Sequence, residues 1–338
     1  MPPDGAAGAP PPQGASRRID MLSAPLFVSW QLTRDCDLAC LHCCTDSAPN
    51  KLLPDEMTRE QAMAFAAEIV RAGVPYVMLC GGEPLRVRHF LDVAEYLGAA
   101  GVMLKIETNG QLVDEAVIER LARLPIRSVQ ISLDGDTQAV YGAQRPGASL
   151  AKTHAACRAV RAAGLPLEVT FAPTRMNIHE VAAVIARARS LGAFRFNTGR
   201  LMHIGRAARL WQRIRPSEEA YTTFKERLMR EAQLIDDALQ ICYEPFSVEA
   251  GLQQSFDTPP ATLLVLPNGL VKVVGAVGYV CGDVRRMALH EVWANYRAAW
   301  RNEAVVAAIR RGITEELSHA DANTLKPIPN GVVEQCST

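Results

Sequence analysis

The chain has 338 residues, nearly half of them hydrophobic, and this suits one large α/β domain with a smaller appended region. Its 36 basic residues balance its 36 acidic ones, so the charge gives no indication of nucleic acid or anionic lipid as a partner. No apolar run approaches the ~18 residues that a membrane-spanning helix needs, and we expect no membrane segment.

Residues 1–24 are rich in proline, glycine and alanine and lack the apolar core that signal peptides carry. We expect them to form a flexible leader. Nine cysteines without a secretory signal favour a reducing cytoplasm. Three of the nine lie close together in the chain, and this clustering favours a metal site over disulfide bonds.

An apolar, β-prone run at 26–32 predicts a first strand that leads directly into Cys36, Cys40 and Cys43. Three thiolates with this spacing can bind three corners of a cubic iron–sulfur cluster. Such a cluster normally takes four cysteine ligands, so three leave one iron open for a small molecule. A structural zinc site is the alternative, but zinc usually takes two ligand dyads and no second dyad follows. We expect the neighbouring Cys44 to point elsewhere and to be a bystander thiol.

Strand and helix patterns alternate from the cysteine loop to about residue 200. Thr58 and Gln61 have the spacing of a capping box, which predicts the start of a helix. Further strands are predicted at 74–80, 103–107, 128–133, 167–172 and 194–198, and helices at 62–72, 89–100, 114–124, 150–163 and 179–191. Alternation of this kind indicates a parallel sheet, and six units predict an incomplete (βα)6 barrel.

Polar or glycine-rich motifs follow the carboxyl ends of the first four predicted strands. Ligands bind at this edge in α/β folds, so we expect the motifs to share one site. They are the cysteine loop, Gly81-Gly82-Glu83-Pro84, Thr108-Asn109-Gly110 and Ser132-Leu133-Asp134.

Beyond about residue 200 the pattern predicts a different organisation. We expect a long amphipathic helix at 216–239, a hairpin at 261–274 around Pro267-Asn268-Gly269, and a helix at 287–309. The tail at 317–338 has no clear periodicity.

The cysteine loop and Gly81-Gly82-Glu83-Pro84 together resemble the signature of the radical S-adenosylmethionine (radical SAM) superfamily. The resemblance implies a [4Fe–4S] cluster on Cys36, Cys40 and Cys43, with the amino and carboxylate groups of SAM on the open iron. It also implies a set of SAM-binding residues, namely His42, Gly81, Gly82, Glu83, Pro84, Thr108, Asn109, Ser132, Asp134 and Arg145. Gly205-Arg206-Ala207 resembles a family turn near the adenine.

The chemistry that this resemblance implies begins with electron transfer from the reduced cluster to SAM. The resulting 5′-deoxyadenosyl radical abstracts a hydrogen atom from the substrate. We expect a barrel interior lined by hydrophobic strands to shield that radical.

The C-terminal hairpin, with Cys281-Gly282-Asp283-Val284 and the segment up to Trp293, is similar to the SPASM or twitch extension of peptide maturases. Cysteines of that extension bind auxiliary clusters, but here the hairpin has none. Cys242, Cys281 and Cys336 are far apart in sequence, so we expect unclustered thiols; one auxiliary cluster on all three is the alternative. The expected organisation is a leader (1–24), a core barrel (25–210), a degenerate α+β extension (211–316) and a tail (317–338).

The resemblance therefore implies a cytoplasmic enzyme that acts on a peptide, protein or cofactor precursor. It also implies an electron donor such as flavodoxin or ferredoxin, and neither a nucleic acid nor a membrane as partner. Two alternatives stay open. One is a maturase for a tungsten-, molybdenum- or haem-type cofactor enzyme, and the other is a non-catalytic iron–sulfur scaffold or sensor.

Overall fold

The computed structural model describes residues 18–234, 239–244, 247–314 and 319–329. Seven strands of its sheet follow one another in parallel: β1 (Phe27–Gln31), β2 (Tyr76–Cys80), β3 (Met103–Thr108), β4 (Ile126–Ser132), β5 (Leu167–Phe171), β6 (Arg195–Gly199) and β7 (Gln240–Glu244). Four further strands extend the sheet beyond β1: β8 (Thr262–Val265), β9 (Leu270–Lys272), β10 (Tyr279–Asp283) and β11 (Lys326–Pro327). The order across the described sheet is β11-β10-β9-β8-β1-β2-β3-β4-β5-β6-β7.

Helices cover the outer face of this sheet and connect its strands. In the N-terminal part they are α1 (Arg59–Arg71), α2 (Phe90–Ala99), α3 (Glu115–Leu121), α4 (Gln138–Gln144), α5 (Leu150–Ala162) and α6 (Val181–Ser190). In the C-terminal part they are α7 (Arg206–Arg209), α8 (Trp211–Ile214), α9 (Glu218–Leu234), α10 (Val248–Asp257), α11 (Leu289–Ala299) and α12 (Glu303–Thr314). None of the helices within the described ranges is both long enough and apolar enough to cross a membrane.

The predicted α/β fold with a parallel sheet is confirmed, and several element boundaries agree with the sequence pattern. Helix α1 begins at the predicted capping box, where the Thr58 hydroxyl accepts from the Gln61 amide and the Gln61 side chain accepts from the Thr58 amide. The predicted C-terminal hairpin is also present, since β8 and β9 pair antiparallel on either side of Pro267-Asn268-Gly269.

The sequence pattern predicted that the alternation of strand and helix stops at about residue 200. In the structure it continues beyond that point. A seventh strand, β7, pairs in parallel with β6, and the hairpin strand β8 pairs in parallel with β1. The pattern concealed β7 because three helices separate it from β6. The sheet thus continues across residue 210, the predicted end of the core barrel. The division into a core and an extension at that residue stays a prediction.

Two further differences concern helices. The helix predicted at 287–309 is two helices, because the Asn302 side chain accepts from the amides of Ala304 and Val305 and so begins α12. Helices α4, α7, α8 and α10 have no counterpart among the predicted elements.

Part of the predicted leader packs against the C-terminal region. Ile19 is buried, Asp20 forms an ion pair with Arg301, and the Leu22 carbonyl accepts from Trp293 Nε1 at 2.8 Å. These contacts join the start of the described chain to α11, in contrast to the flexible leader expected there. Residues 1–17 lie outside the described residues.

The two faces of the parallel sheet differ in chemistry. The face toward the helices is apolar and includes Val28, Trp30 and Leu79, all fully buried. The opposite face lines a central cavity, and its strand residues are mostly polar, including Gln31, Glu107, Gln130, Thr170 and Asn197. The strand residues that line the cavity thus include more polar side chains than the hydrophobic interior that the sequence led us to expect.

Candidate active site

The cysteine loop follows β1 at the carboxyl edge of the sheet, where its sulfur atoms accept hydrogen bonds. Cys36 Sγ accepts from the Leu38 amide at 3.4 Å, and Cys43 Sγ accepts from the Ser47 amide at 3.3 Å. Cys36 is buried and Cys43 is partly buried. Hydrogen bonds donated to sulfur stabilise a thiolate, the form that binds a metal. The loop is thus folded to hold anionic sulfur.

The third loop cysteine, Cys40, lies beside a buried arginine. Arg145 Nη1 is 3.4 Å from Cys40 Sγ, and Arg145 Nε donates to Asp134 Oδ2 at 2.6 Å. Burial opposes the charge of Arg145, but Asp134 outweighs it, so the pKa of Arg145 lies above its usual value. A fixed positive charge therefore lies next to one sulfur and faces the cavity.

Burial shapes the protonation of the cysteine thiols. It raises the pKa of Cys36 to about 12 and the pKa of Cys40 to about 11, although Arg145 partly opposes the second shift. In the metal-free protein these thiols are protonated at neutral pH. Binding of a cationic metal group is what ionises such ligands, so their protons leave when the group binds.

The described residues contain no group of three or more histidine, cysteine or carboxylate side chains placed around a single metal ion. A cubic iron–sulfur cluster binds each thiolate to a different iron, so its ligands need not converge on one point. The donor set of three thiolates with N–H donors around them fits such a cluster.

His42 lies between this loop and Asp134. Its Nε2 is 3.3 Å from Asp134 Oδ2, and burial lowers the pKa of His42 to about 4, so the ring is neutral. Nε2 also lies 3.4 Å from Arg145 Nη2, so it either donates to Asp134 or accepts from Arg145, and Nδ1 takes the opposite role. Nδ1 is buried and has no hydrogen-bond partner among the described residues. An unpartnered ring nitrogen on a residue of the cavity wall suits a hydrogen bond to a bound molecule.

Gly81 and Gly82 let the end of β2 approach the cysteine loop. The Gly82 amide donates to the Thr33 carbonyl at 2.7 Å, and the Glu83 amide donates to the Asp35 carbonyl at 2.9 Å. A Cβ on Gly82 would lie 2.1 Å from the Asp35 oxygen, and Gly81 has a φ of +139°. Only glycine permits this backbone contact.

Glu83 connects two of the predicted motifs. Its carboxylate is fully buried, accepts from Thr108 Oγ1 at 2.8 Å and from the Asn109 amide at 2.9 Å, and has its pKa raised to about 7 by burial. Asn109 Nδ2 in turn donates to Asp37 in the cysteine loop at 2.7 Å. Glu83 thus holds the β3 turn against the β2 turn and the loop.

The cavity beside these motifs has a volume of about 620 Å³. Of the residues predicted to contact SAM, its wall includes His42, Gly81, Gly82, Thr108, Asn109, Ser132 and Arg145. Glu83, Pro84 and Asp134 lie behind that wall and position the residues in front of them. Cys44 lines the same cavity, and its role as a bystander thiol stays a prediction.

The Gly205-Arg206-Ala207 turn contacts the back of the cysteine loop. Arg206 Nη1 donates to the Cys40 carbonyl at 2.8 Å, and Nη2 donates to the Ser47 carbonyl at 2.7 Å. Gly205 has a φ of +62°, and a Cβ there would lie 2.3 Å from the Cys44 oxygen. The turn after β6 therefore holds both ends of the loop.

Sequence reasoning missed Asp46, which is 5% exposed and lies at the end of the loop. Its carboxylate forms ion pairs with Arg34 and Arg206, each at 3.2 Å, and with Lys51 and Arg209. No local pattern identifies this residue, because its partners come from three separate segments.

Sequence reasoning also missed a polar network on the cavity side of the sheet. Lys105 Nζ donates to Gln130 at 2.9 Å and to Glu168 at 3.0 Å. Asn197 Nδ2 donates to the same two oxygens, and Gln130 Nε2 donates to Glu107 at 2.9 Å. The signal was available, since polar residues recur at every second position of β3 and β4, the period of one strand face.

The three C-terminal cysteines have no shared site among the described residues. Cys281 is buried on β10 and its thiol donates to the Val271 carbonyl, with an Sγ–O distance of 3.5 Å. Cys242 lies on β7, at the other end of the strand order. Cys336 lies outside the described residues, so the absence of an auxiliary cluster stays a prediction.

Comparison with protein families gives one match, to the model of the Radical SAM superfamily, over residues 30–188.

Several named proteins are similar in sequence. The AdoMet-dependent heme synthase of Methanosarcina barkeri is 26% identical over 299 residues, which cover 82% of this chain and 84% of the relative. The PqqA peptide cyclase of Gluconobacter oxydans is 26% identical, with 80% and 77% covered. The mycofactocin maturase of Mycobacterium ulcerans is 35% identical over 58% of this chain. The chain spans about half the length of that maturase, 53%.

Two solved structures share the fold. Streptococcus suis SuiB bound to S-adenosylmethionine superposes with a TM-score of 0.67 at 15% identity, over 80% of this chain and 66% of SuiB. The protein anSMEcpe, with AdoMet and a peptide bound, has a TM-score of 0.62 at 14% identity, over 85% and 83%.

Proposed function

This chain contains a radical SAM domain and is a radical SAM enzyme, and from that premise we propose that Cys36, Cys40 and Cys43 bind its [4Fe–4S] cluster and that its substrate is a peptide. When bound, the cluster and SAM supply a 5′-deoxyadenosyl radical that abstracts a hydrogen atom from the substrate. The observation that carries the ligand assignment is the set of N–H donors directed at the loop sulfurs beside a cavity.

The residues around the loop have separate tasks in this proposal. Arg145 presents a buried positive charge toward the cavity and suits a carboxylate such as that of SAM. Asp134 holds Arg145 and His42 in place, and Glu83 holds the Thr108-Asn109 turn. Ordered polar groups of this kind orient a bound molecule without moving during the reaction.

A peptide substrate is favoured by the named relatives. Sequence similarity covers 77% of the PqqA peptide cyclase, and identity with the Mycobacterium ulcerans mycofactocin maturase is 35% over 58% of this chain. A second candidate, synthesis of a haem-type cofactor, is favoured by the 84% coverage of the Methanosarcina barkeri heme synthase. Mass analysis of a peptide precursor and of a porphyrin precursor after turnover would separate the two.

The test of the proposed function is reductive cleavage of SAM. Protein purified and reconstituted without oxygen, then given SAM and either dithionite or reduced flavodoxin, should form 5′-deoxyadenosine. A protein that binds iron and SAM but forms no 5′-deoxyadenosine under both reductants would contradict the proposal and favour the scaffold alternative.

A further inference from the structure

We propose that a basic cleft beside the cavity docks an acidic segment of the peptide substrate. The cleft is defined by Arg175, Arg200, Trp211, Arg213 and Arg215. The inference rests on the proposed peptide substrate. It adds that part of the peptide is acidic and that this part binds along the cleft.

The cleft begins where the reaction cavity ends. Arg200 and Leu201 line both the cavity and an adjoining recess of about 780 Å³. His203, Trp211 and Arg215 line this recess and also a further one of about 580 Å³, which extends to Arg213. Because the recesses share walls, one extended chain can place a residue in the cavity and continue along the cleft.

The charge of the cleft is positive and partly unneutralised. Five arginines line the two recesses against two glutamates, Glu218 and Glu249. Arg200 pairs with Glu218, and Arg209 pairs with Asp46.

The other three cleft arginines, Arg175, Arg213 and Arg215, are exposed and form no ion pair among the described residues. The hydrogen bond from the Arg175 amide to the Ile214 carbonyl, at 2.8 Å, holds the segments that carry them side by side. Neighbouring guanidinium groups without carboxylate partners suit carboxylates of a ligand, which they can bind bidentately.

An aromatic surface lies between these charges. Trp211 stacks on His203 with ring centroids 4.1 Å apart and an interplanar angle of 16°. Tyr221 lies under Arg200, whose guanidinium carbon is 4.1 Å from the ring centroid. Flat aromatic surfaces between arginines suit a peptide, whose side chains offer both carboxylates and apolar area.

A nucleic acid fits these observations less well than a peptide. The chain as a whole has a net charge of zero and a pI near 7.0, whereas nucleic-acid-binding domains are usually basic overall. The positive charge of the cleft is local, as expected for a site that reads a few carboxylates.

The test is binding of a fluorescein-labelled peptide of alternating glutamate and glycine, about a dozen residues long, to the reconstituted protein. Fluorescence anisotropy would be measured at low and at moderate salt, with a lysine–glycine peptide and a short uridine oligonucleotide as further probes. We expect only the glutamate peptide to bind. Moderate salt should weaken this binding, because salt screens exposed charges.

The decisive variant is Arg175→Glu with Arg213→Glu and Arg215→Glu. It should bind the glutamate peptide at least about tenfold more weakly. The three substitutions replace attraction between arginine and the peptide carboxylates with repulsion between like charges. The matched control is Arg123→Glu with Arg158→Glu and Arg230→Glu, which changes net charge equally at exposed arginines that do not line the cleft. Its affinity should equal that of the wild type, and circular dichroism and iron content check that both variants fold.

Equal loss of binding in both triple variants would contradict the proposed docking cleft. The absence of peptide binding by the wild type would also contradict it, and so would tighter binding of the oligonucleotide than of the peptide. The binding assay contains neither SAM nor reductant, so it is independent of SAM cleavage. Intact SAM cleavage without peptide docking refutes the cleft alone, and intact docking without SAM cleavage refutes the proposed function alone.

Discussion

The cysteine loop after β1 and the C-terminal strand β10 differ in the hydrogen bonds around their sulfur atoms. In the loop, Leu38 and Ser47 donate backbone hydrogen bonds to Cys36 and Cys43, and the Cys36 thiol also donates to Asp37 Oδ1 over 3.8 Å. On β10, sulfur donates, because the buried Cys281 thiol bonds to the Val271 carbonyl. A sulfur surrounded by donors is suited to ionise, and a thiol that must donate is suited to stay protonated. Burial raises the pKa of Cys36 and of Cys281 alike, so the backbone donors from Leu38 and Ser47 are the feature that favours the loop cysteines as ligands.

One glycine from each region shows a second contrast. Gly82 lies where two backbone segments touch near the loop, whereas Gly251 lies in helix α10 with no atom within 4 Å of a Cβ added there. Gly82 is therefore required by a close backbone contact, and Gly251 is not.

The largest expected effect is on the cluster. Changing Cys36, Cys40 or Cys43 to alanine should abolish the iron–sulfur chromophore and SAM cleavage, because each removes one of three ligands. Iron and sulfide analysis and 5′-deoxyadenosine assays measure this. Cys44→Ala is the adjacent control and should lose neither; loss of the cluster in Cys44→Ala with retention in Cys43→Ala would contradict the ligand assignment.

The glycine contrast predicts opposite effects of the same substitution. Gly82→Ala should destabilise the metal-free protein by about 3 kcal/mol or more, because the new Cβ would overlap the Asp35 carbonyl. Gly251→Ala should stabilise it by about 0.5–1 kcal/mol, since alanine favours a helix. Urea unfolding measures both. Similar effects of the two changes would show that backbone contact near the loop carries no special cost.

The cavity wall predicts an effect on SAM affinity. Arg145→Met and Asp134→Ala should each weaken SAM binding, the first by removing a buried charge and the second by releasing Arg145. Losing such a contact costs about 2–3 kcal/mol, or roughly thirty- to a hundredfold in affinity. Calorimetry on protein with normal iron content measures this, with the outer-surface Arg127→Met as control. Unchanged affinity in both variants would remove the pair from the site.

A pH effect is expected in the C-terminal region, where Lys272 is buried and donates to the Gly275 and Ala322 carbonyls at 2.7 Å. Burial lowers the pKa of Lys272 to about 8. Between pH 8 and the ordinary lysine value the unfolded chain holds more protons than the folded one, so the free energy of unfolding rises with pH.

Relative to Lys272→Met, the wild type should gain up to about 1.4 kcal/mol per pH unit in this window. Urea unfolding at several pH values measures the difference, and exposed Lys152→Met serves as control. A difference that stays constant with pH would place the pKa of Lys272 at its ordinary value.

The smallest expected effect concerns the C-terminal cysteines. Reconstituted wild type and a Cys242→Ala, Cys281→Ala and Cys336→Ala triple variant should both hold about four irons per chain, the content of one [4Fe–4S] cluster. Iron and sulfide counting measures this. About eight irons in the wild type, falling to four in the triple variant, would instead assign an auxiliary cluster to these cysteines.

The sequence by itself determined the features that depend on near neighbours. The cysteine spacing, the capping box at Thr58 and the alternation of β1 to β6 with helices are all local patterns, and each predicted its element. Local backbone geometry and hydrophobic period produce such patterns, so no tertiary information is needed to recognise them.

Only the tertiary structure decided which distant groups meet. It pairs β7 with β6 and β8 with β1, brings four cations to Asp46, and puts Glu83 behind the cavity wall and Cys44 in it. Most of these contacts join segments separated by tens to hundreds of residues. Their partners are chosen by packing and burial across the whole sheet, and no local pattern records that choice.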